Sequence, residues 1–146
     1  MAEIRDIARY VEEHPEDHQQ RWQLAKKLYT TWEYRRALHH LIRLKAHGYG
    51  CGALFRYLAA TYAQMGRYAE ATRELNTAIA QWPREVKLYE QLASVLEHAG
   101  ARNGAATIWE KTLELDPHHL KAQRACTRLR QSMSETDKVK RLRPAP

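Results

Sequence analysis

The chain has 146 residues, enough for one domain or one short array of repeats, and carries a formal net charge of +7. Alanine, leucine and charged residues dominate while valine and isoleucine are scarce, a composition that favours an all-helical protein over a sheet. No apolar run approaches the roughly 20 residues that a membrane span needs, and the N-terminus has no apolar signal core, so we expect a cytoplasmic protein.

The first predicted element is an N-terminal helix within residues 1–17. Its apolar residues recur at helical spacing: Ile4, Ile7, Ala8 and Val11. The helix is predicted to stop before Pro15, because proline disfavours helical geometry in the residue that precedes it. We expect this segment to be half a repeat or a cap of the array that follows.

A pattern of paired helices then recurs every 34 residues. Three segments follow it: 18–51, 52–85 and 86–119. In the second and third, Gly66 and Gly100 are placed to make the turn between the two helices, and Pro83 and Pro117 end the second helix. Trp32 stands where the other segments have glycine, so the first turn is predicted to be less regular.

Small residues recur where the two helices of a pair must approach closely. They are Ala25, Ala59 and Ala93 on the first helices, and Ala37, Ala71 and Ala105 on the second. Larger side chains there would overpack the hairpin, at a cost of about 1–3 kcal/mol each. A single hairpin cannot bury its apolar face alone, so the stacked array is predicted to be the folding unit.

The same positions carry a family resemblance. The second segment reads Phe55-x-x-Leu58-Ala59-x-x-Tyr62, then Ala71-x-x-x-Leu75, then Pro83; the third reads Tyr89-x-x-Leu92-Ala93-x-x-Leu96, then Ala105-x-x-x-Trp109, then Pro117. The first is weaker, with Arg21 and Tyr49 at two signature positions. The pattern resembles the tetratricopeptide repeat over about residues 18–119. The resemblance implies an all-α fold, a right-handed α-solenoid of antiparallel helix hairpins whose first helices line a concave groove.

In that family the groove often holds an extended peptide or a partner helix, which implies a non-catalytic protein-interaction scaffold or adaptor. A helical wheel places eight residues on the groove side: Trp22, Lys26, Tyr29, Arg56, Ala60, Lys87, Glu90 and Ser94. Trp22 and Tyr29 beside Lys26 suit a peptide with an apolar side chain and an acidic group. The alternative is that both rings pack on a neighbouring helix and that the charges are merely solvated.

Small bacterial members of the family include chaperones and assembly factors, so the resemblance also suggests a chaperone-like role. One subtype grips the C-terminal carboxylates of chaperones with Lys, Asn and Arg side chains. Lys26 and Lys87 are placed to supply parts of such a clamp, but Gln91 stands where an Arg is needed. We therefore do not assign that specificity. A second docking option is a convex face formed by Arg35, Arg36, His39, His40 and Arg43.

The positive charge is concentrated at the C-terminal end, where eight Lys and Arg follow His118 against two acids. We predict a capping helix over 120–133 and a disordered basic tail over 134–146. Their cations form a candidate basic patch: Arg124, Arg128, Arg130, Lys138, Lys140, Arg141 and Arg143. The alternative function is charge-driven attachment to nucleic acid or an anionic membrane through this end. The competing interpretation is a soluble cap with a solvated tail.

No sequence pattern indicates catalysis, a cofactor or a metal centre. A glycine-rich phosphate loop, a nucleophile elbow and a His-Glu-x-x-His motif are all missing from the sequence. The eight histidines do not have the spacing of a converging zinc site, and Cys51 and Cys126 are predicted to be free thiols. We expect a protein without enzyme activity, with a protein or peptide partner and, through the exposed ends of the array, possible self-association.

Overall fold

The computed structural model describes residues 2–144, with the backbone alone for Ala2. Every regular element in that range is an α-helix. The helices are α1 (Ala2–Glu13), α2 (His18–Thr30), α3 (Tyr34–Ala46), α4 (Gly52–Gln64), α5 (Tyr68–Gln81), α6 (Val86–His98), α7 (Arg102–Leu115) and α8 (Leu120–Leu142). None of these helices is both long and apolar enough to cross a membrane. The all-α prediction is confirmed.

The helices keep the predicted period to the residue. Helices α2, α4, α6 and α8 begin at positions 18, 52, 86 and 120, and α3, α5 and α7 begin at 34, 68 and 102, so equivalent helices start 34 residues apart. Consecutive helices α2 and α3, α4 and α5, and α6 and α7 pack as hairpins. The start of α8 is therefore in register with the first helix of a further hairpin.

Each of the three hairpin turns contains one residue in the left-handed backbone conformation. Gly66 has φ +74° and Gly100 has φ +82°, a conformation that glycine adopts without steric cost. Trp32 occupies the equivalent position of the first hairpin with φ +63°. A residue with a Cβ atom in this region costs roughly 1–2 kcal/mol. The first turn therefore keeps the backbone conformation of the other two, contrary to the expectation of a less regular turn, and the difference is that its tryptophan is strained.

Helices divide between two compact units, residues 1–83 and 84–146. In the first unit, Leu24, Leu28 and Ala37 pack against α1 through Ile4 and Val11. In the second, α6, α7 and α8 share a core that includes Ala93, Trp109 and Leu129. All six predicted small residues are fully buried: Ala25, Ala37, Ala59, Ala71, Ala93 and Ala105.

The C-terminal helix is longer than predicted. Helix α8 runs without interruption to Leu142, so residues 134–142 are helical, and the predicted disordered tail is wrong there. These residues lack an apolar period, which is why a tail was expected. They include good helix formers (Glu, Lys, Arg and Leu) and no glycine or proline, and the helix ends just before Pro144. The last two residues of the predicted tail, 145 and 146, lie outside the described range.

Candidate functional site

A continuous aromatic surface connects the first helices of two hairpins in the first unit. Tyr57 of α4 lies between Trp22 and Tyr29 of α2, with ring centroids 5.2 Å and 5.5 Å apart and an interplanar angle of 82° in both pairs. Tyr34 lies 5.6 Å from Tyr29, and Tyr49 lies 6.5 Å from Trp22. The Trp22–Tyr49 pair is tilted, and the other three contacts are edge-to-face, an arrangement that aromatic rings prefer. We call Trp22, Tyr29 and Tyr57 the aromatic face.

The aromatic face is partly covered and partly open, because all three side chains are half-buried. Trp22 and Tyr29 were predicted either to line a groove or to pack on a neighbouring helix. The structure shows the packing contact with Tyr57, and Tyr29 also lies against the core beside α1. The three residues nevertheless remain partly exposed, so their packing fixes the orientation of the rings and leaves part of the aromatic face accessible to solvent.

Lys26 supplies the positive charge at this surface. Its Nζ atom lies 5.3 Å from the centroid of the Trp22 ring, a cation–π distance. Among residues 2–144 no carboxylate forms an ion pair with Lys26. Burial raises the pKa of the Tyr29 hydroxyl, and Tyr34 adds to that effect while a hydrogen bond with Gln64 opposes it. Tyr29 therefore remains a neutral hydrogen-bonding group around pH 7.

Two further candidates, Arg56 and Ala60, lie on α4 and are half-buried. The opposite side of α4 is closed, since four of its side chains are buried: Phe55, Leu58, Ala59 and Tyr62. This division between a packed and an open side agrees with the helical wheel. The wheel did not indicate that Leu54 and Thr61 are fully buried as well. Thr61 satisfies its hydroxyl by donating to the Tyr57 carbonyl at 2.6 Å.

The remaining candidates, Lys87, Glu90 and Ser94, lie on α6 in the second unit. Lys87 is exposed, while Glu90 and Ser94 are half-buried. Both carboxylate oxygens of Glu90 face α8: Oε2 lies 3.3 Å from His119 Nε2, and Oε1 accepts from Lys121 Nζ at 3.3 Å. Glu90 is thus already engaged with two cationic or titratable groups of its own unit.

Ser94 lines a cavity of about 600 Å³ between α6 and α8. Glu97 also lines this cavity. Its carboxylate accepts hydrogen bonds from Trp109 Nε1 at 2.6 Å and from both terminal nitrogens of Arg128, at 2.7 and 3.1 Å. The hydrogen bonds from Arg128 lower the pKa of the Glu97 carboxyl, with the Trp109 bond contributing in the same direction. Arg124 also lines the cavity and has no carboxylate partner in the described range.

The predicted basic residues do not share one surface. Arg124 and Arg128 line the cavity beside Glu97. Arg130, Lys138 and Arg141 line a second depression with Asp137, and Lys140 lines a third with Arg102. Arg143 follows the end of α8. The cations therefore surround α8, and Arg128 is neutralised by Glu97.

Tyr57 is the member of the aromatic face that the sequence did not assign to the site. It lies between Ala53 and Ala60, one helical turn from each, which is the signal that could have found it. Across residues 2–144, no three or more His, Cys, Asp or Glu side chains converge in a group that could hold a metal ion. Cys51 is exposed and Cys126 is buried, and burial raises the pKa of the Cys126 thiol.

Comparison with known proteins agrees with this architecture. Residues 52–95 match the family model described as "Tetratricopeptide repeat". No curated protein sequence matches the chain. Among solved structures, that of MamA has a TM-score of 0.82 at 18% identity, covering 92% of this chain and 78% of its own. The first tetratricopeptide domain of Spaghetti (RPAP3), bound to the HSP90 peptide SRMEEVD, has a TM-score of 0.71 at 19% identity, covering 82% and 94%.

A third similar structure is that of YrrB, described as a tetratricopeptide protein with an unusual peptide-binding site. Its TM-score is 0.74 at 15% identity, with 90% of this chain and 68% of that chain covered. At these identities the likeness concerns the fold. The repeat pattern, the constant helix spacing and the similar solved structures show that the chain has the fold of tetratricopeptide repeat proteins, and residues 52–95 match the model of that family.

Proposed function

We propose that this protein is a non-catalytic scaffold that binds an extended segment of a partner protein on the aromatic face of α2 and α4. The observation that carries the proposal is that Trp22, Tyr29 and Tyr57 lie together beside Lys26, whose ammonium group has no carboxylate partner within the described residues. Tryptophan and tyrosine are the residues most often found at the energetic centre of protein interfaces. Two tetratricopeptide domains of RPAP3 with a similar fold hold chaperone peptides, which supports the same class of function.

The chemistry of the face suggests its ligand. Half-exposed rings offer apolar area and edge-to-face contacts to an aliphatic or aromatic side chain. Lys26 then favours a carboxylate close to that side chain, because the ligand would supply the negative charge that the described part of the protein does not. Ala60 on α4 adds a short side chain beside the rings, which leaves room for a ligand backbone. We therefore propose an acidic peptide with one apolar anchor.

Selection of peptides on the whole chain tests this proposal. A random library of displayed peptides should yield binders rich in pairs of an apolar and an acidic residue. Tyr57→Ala should lower the affinity of the protein for these peptides about tenfold or more. Lys26→Glu should shift the selected sequences from acidic to basic without loss of fold. Tyr68→Ala, which removes another half-buried tyrosine, is the matched control and should bind like wild type. Binders that tolerate both Tyr57→Ala and Lys26→Glu would contradict the proposal.

A chaperone-like role is the finer form of this proposal. The HSP90 and HSP70 peptides held by the RPAP3 domains, SRMEEVD and SGPTIEEVD, are acidic at their C-termini and serve as ready probes. Lys26 is a suitable partner for one of their carboxylates. The role predicts that SRMEEVD binds more tightly than its C-terminally amidated form, and equal affinity for both would exclude recognition of the terminal carboxylate.

Charge-driven attachment through α8 is the second candidate. It is supported by the exposed, helical extension of residues 133–142, on which Lys138, Lys140 and Arg141 have no ion pair in the described range. Deletion of residues 134–146 separates the two functions. Peptide binding on the aromatic face should survive the deletion, whereas attachment to duplex DNA or anionic vesicles should weaken and lose its salt dependence.

A further inference from the structure

Helix α3 presents a row of exposed side chains that begins at the turn before it. They follow one another at spacings of three and four residues along one side of the helix: Trp32, Arg35, Arg36, His39, Ile42 and Arg43. We call this set the α3 stripe. At 1.5 Å per residue it is about 16 Å long. The helix itself, Tyr34–Ala46, contains no acidic residue.

Trp32 is the anomalous member of the stripe. It is 80% exposed, so burial in a core does not explain a tryptophan here. Its φ of +63° is strained, whereas the two equivalent turns avoid strain with Gly66 and Gly100. Neither the turn nor the packing of the first unit therefore requires this residue. A large side chain that is exposed and held at a conformational cost is the pattern expected of a contact residue.

The charge of the stripe is not balanced locally. Arg35 and Arg43 have no carboxylate partner within residues 2–144, and only Arg36 is paired, with Glu33. A depression of about 500 Å³ beside Trp32 combines this charge with apolar surface, as it is lined by Glu33, Tyr34, Arg35, Arg36 and Met65. The stripe thus alternates cations with the apolar side chains of Trp32 and Ile42.

A buried layer beneath the stripe adds to the positive potential. Arg21 is only 3% exposed, and its guanidinium lies 3.3 Å from His40 Nδ1 and 3.4 Å from the Pro15 carbonyl. No carboxylate of residues 2–144 forms an ion pair with it. Burial, together with His39, Arg21, Arg36 and Arg43, lowers the pKa of His40 to about 4. His40 is therefore neutral at pH 7, and the arginines are the charges that a ligand would meet.

We propose that the α3 stripe docks an acidic segment of a partner protein, which places one apolar side chain on Trp32 and carboxylates on Arg35 and Arg43. The unpaired arginines favour carboxylates on the ligand, and the exposed ring of Trp32 favours an apolar side chain. A nucleic-acid backbone fits less well, because Ile42 and Met65 interrupt the cations with apolar surface that phosphates cannot use. The stripe adjoins the aromatic face, because Tyr34 lines the depression beside Trp32 and also contacts Tyr29. The proposal nevertheless rests on residues outside the aromatic face, namely Trp32, Arg35 and Arg43.

The test uses a fluorescent, alanine-based helical peptide of about 15 residues with glutamate at every fourth position and one phenylalanine. Fluorescence anisotropy with the whole chain should show saturable binding that weakens with salt. Peptides with lysine in place of glutamate, or alanine in place of phenylalanine, should bind at least several-fold more weakly. Equal binding of the lysine peptide would overturn the proposal.

Variants assign the binding to the stripe. Trp32→Gly should weaken binding of the acidic peptide about tenfold. It should also raise the melting temperature of the protein, because glycine relieves the strained turn. A residue with a merely structural role would lower the melting temperature instead. Arg35→Ala and Arg43→Ala should weaken binding several-fold, whereas the exposed Arg73→Ala on α5 should not. Unchanged binding by Trp32→Gly, an equal effect of Arg73→Ala, or tighter binding of a duplex DNA through the same residues would each contradict the proposal.

Discussion

His40 shows how a single residue links packing to pH. Its pKa of about 4 lies below the ordinary value of 6.5, so between these pH values the unfolded chain binds a proton that the folded chain does not. The contribution of His40 to the free energy of unfolding is therefore fully present above about pH 6.5 and is lost as the pH falls towards 4. The cause is burial first, and then the neighbouring cations.

Replacement of His40 by glutamine should remove this part of the pH dependence. Urea unfolding at about pH 7 and at about pH 5 should show a smaller loss of stability for His40→Gln than for wild type. The exposed His98→Gln, on α6 in the second unit, provides a matched substitution for comparison. An unchanged pH dependence in His40→Gln would mean that His40 is protonated in the folded state.

Adjacent alanines on α4 test which side of that helix is packed. Ala59 is fully buried between helices, whereas Ala60 lies on the half-exposed side. Ala59→Leu should reduce the free energy of unfolding by about 1–3 kcal/mol, because the added atoms overpack the hairpin. Ala60→Leu should change it by less than about 0.5 kcal/mol. Equal effects in denaturant unfolding would show that the assignment of the two sides is wrong.

At the scale of single elements, α8 combines two different helices in one. Its first 13 residues match the length of α2, α4 and α6, and this part buries Ala122, Ala125, Cys126 and Leu129. From position 133 onward every described side chain is exposed. The packed part is held by the core of the second unit and by the Glu97–Arg128 ion pair, whereas the extension depends on helix propensity alone.

A pair of leucines on α8 should therefore respond differently to truncation. Leu129 is 3% exposed and Leu142 is 82% exposed. Leu129→Ala should cost about 2–5 kcal/mol through lost burial and the cavity that it leaves. Leu142→Ala should stay within about 0.5 kcal/mol in the same thermal or denaturant unfolding. A large loss with Leu142→Ala would show that the extension packs on another part of the chain.

The elements also show what the sequence could and could not predict. The 34-residue period located the turns and the small residues correctly, because close helix packing and left-handed turns restrict which residue types fit. The helical extension of α8 was missed, since apolar periodicity reports burial and an exposed helix has none. Tyr57 was missed for another reason. Its spacing from Ala53 and Ala60 indicates the open side of α4, but a wheel of one helix does not show that its ring contacts Trp22 and Tyr29 of α2.

At the scale of the whole molecule, the two proposed recognition surfaces differ in their chemistry. The aromatic face of α2 and α4 offers rings and one ammonium group, while the α3 stripe offers guanidinium groups and one exposed tryptophan. Both suit acidic partners. A scaffold with two such surfaces can bind two segments at once, which raises the overall affinity without any new contact if their spacing allows it.

The four tryptophans can show whether a peptide binds on the aromatic face, because each one lies in a different part of the protein. Trp22 belongs to the aromatic face, Trp32 to the α3 stripe, Trp82 packs on Phe55, and Trp109 lies beneath the α6–α8 cavity. The four indole N–H resonances of ¹⁵N-labelled protein can be assigned from single-tryptophan variants.

The measurement is a titration of that sample with the strongest acidic peptide selected on the whole chain. We expect the Trp22 indole resonance to shift in a saturable way while those of Trp82 and Trp109 stay in place, and we expect Tyr57→Ala to require about tenfold more peptide for the same shift. A spectrum in which Trp22 does not respond, with changes confined to α8 amides and removed by salt, would contradict it and assign binding to the basic end of the chain.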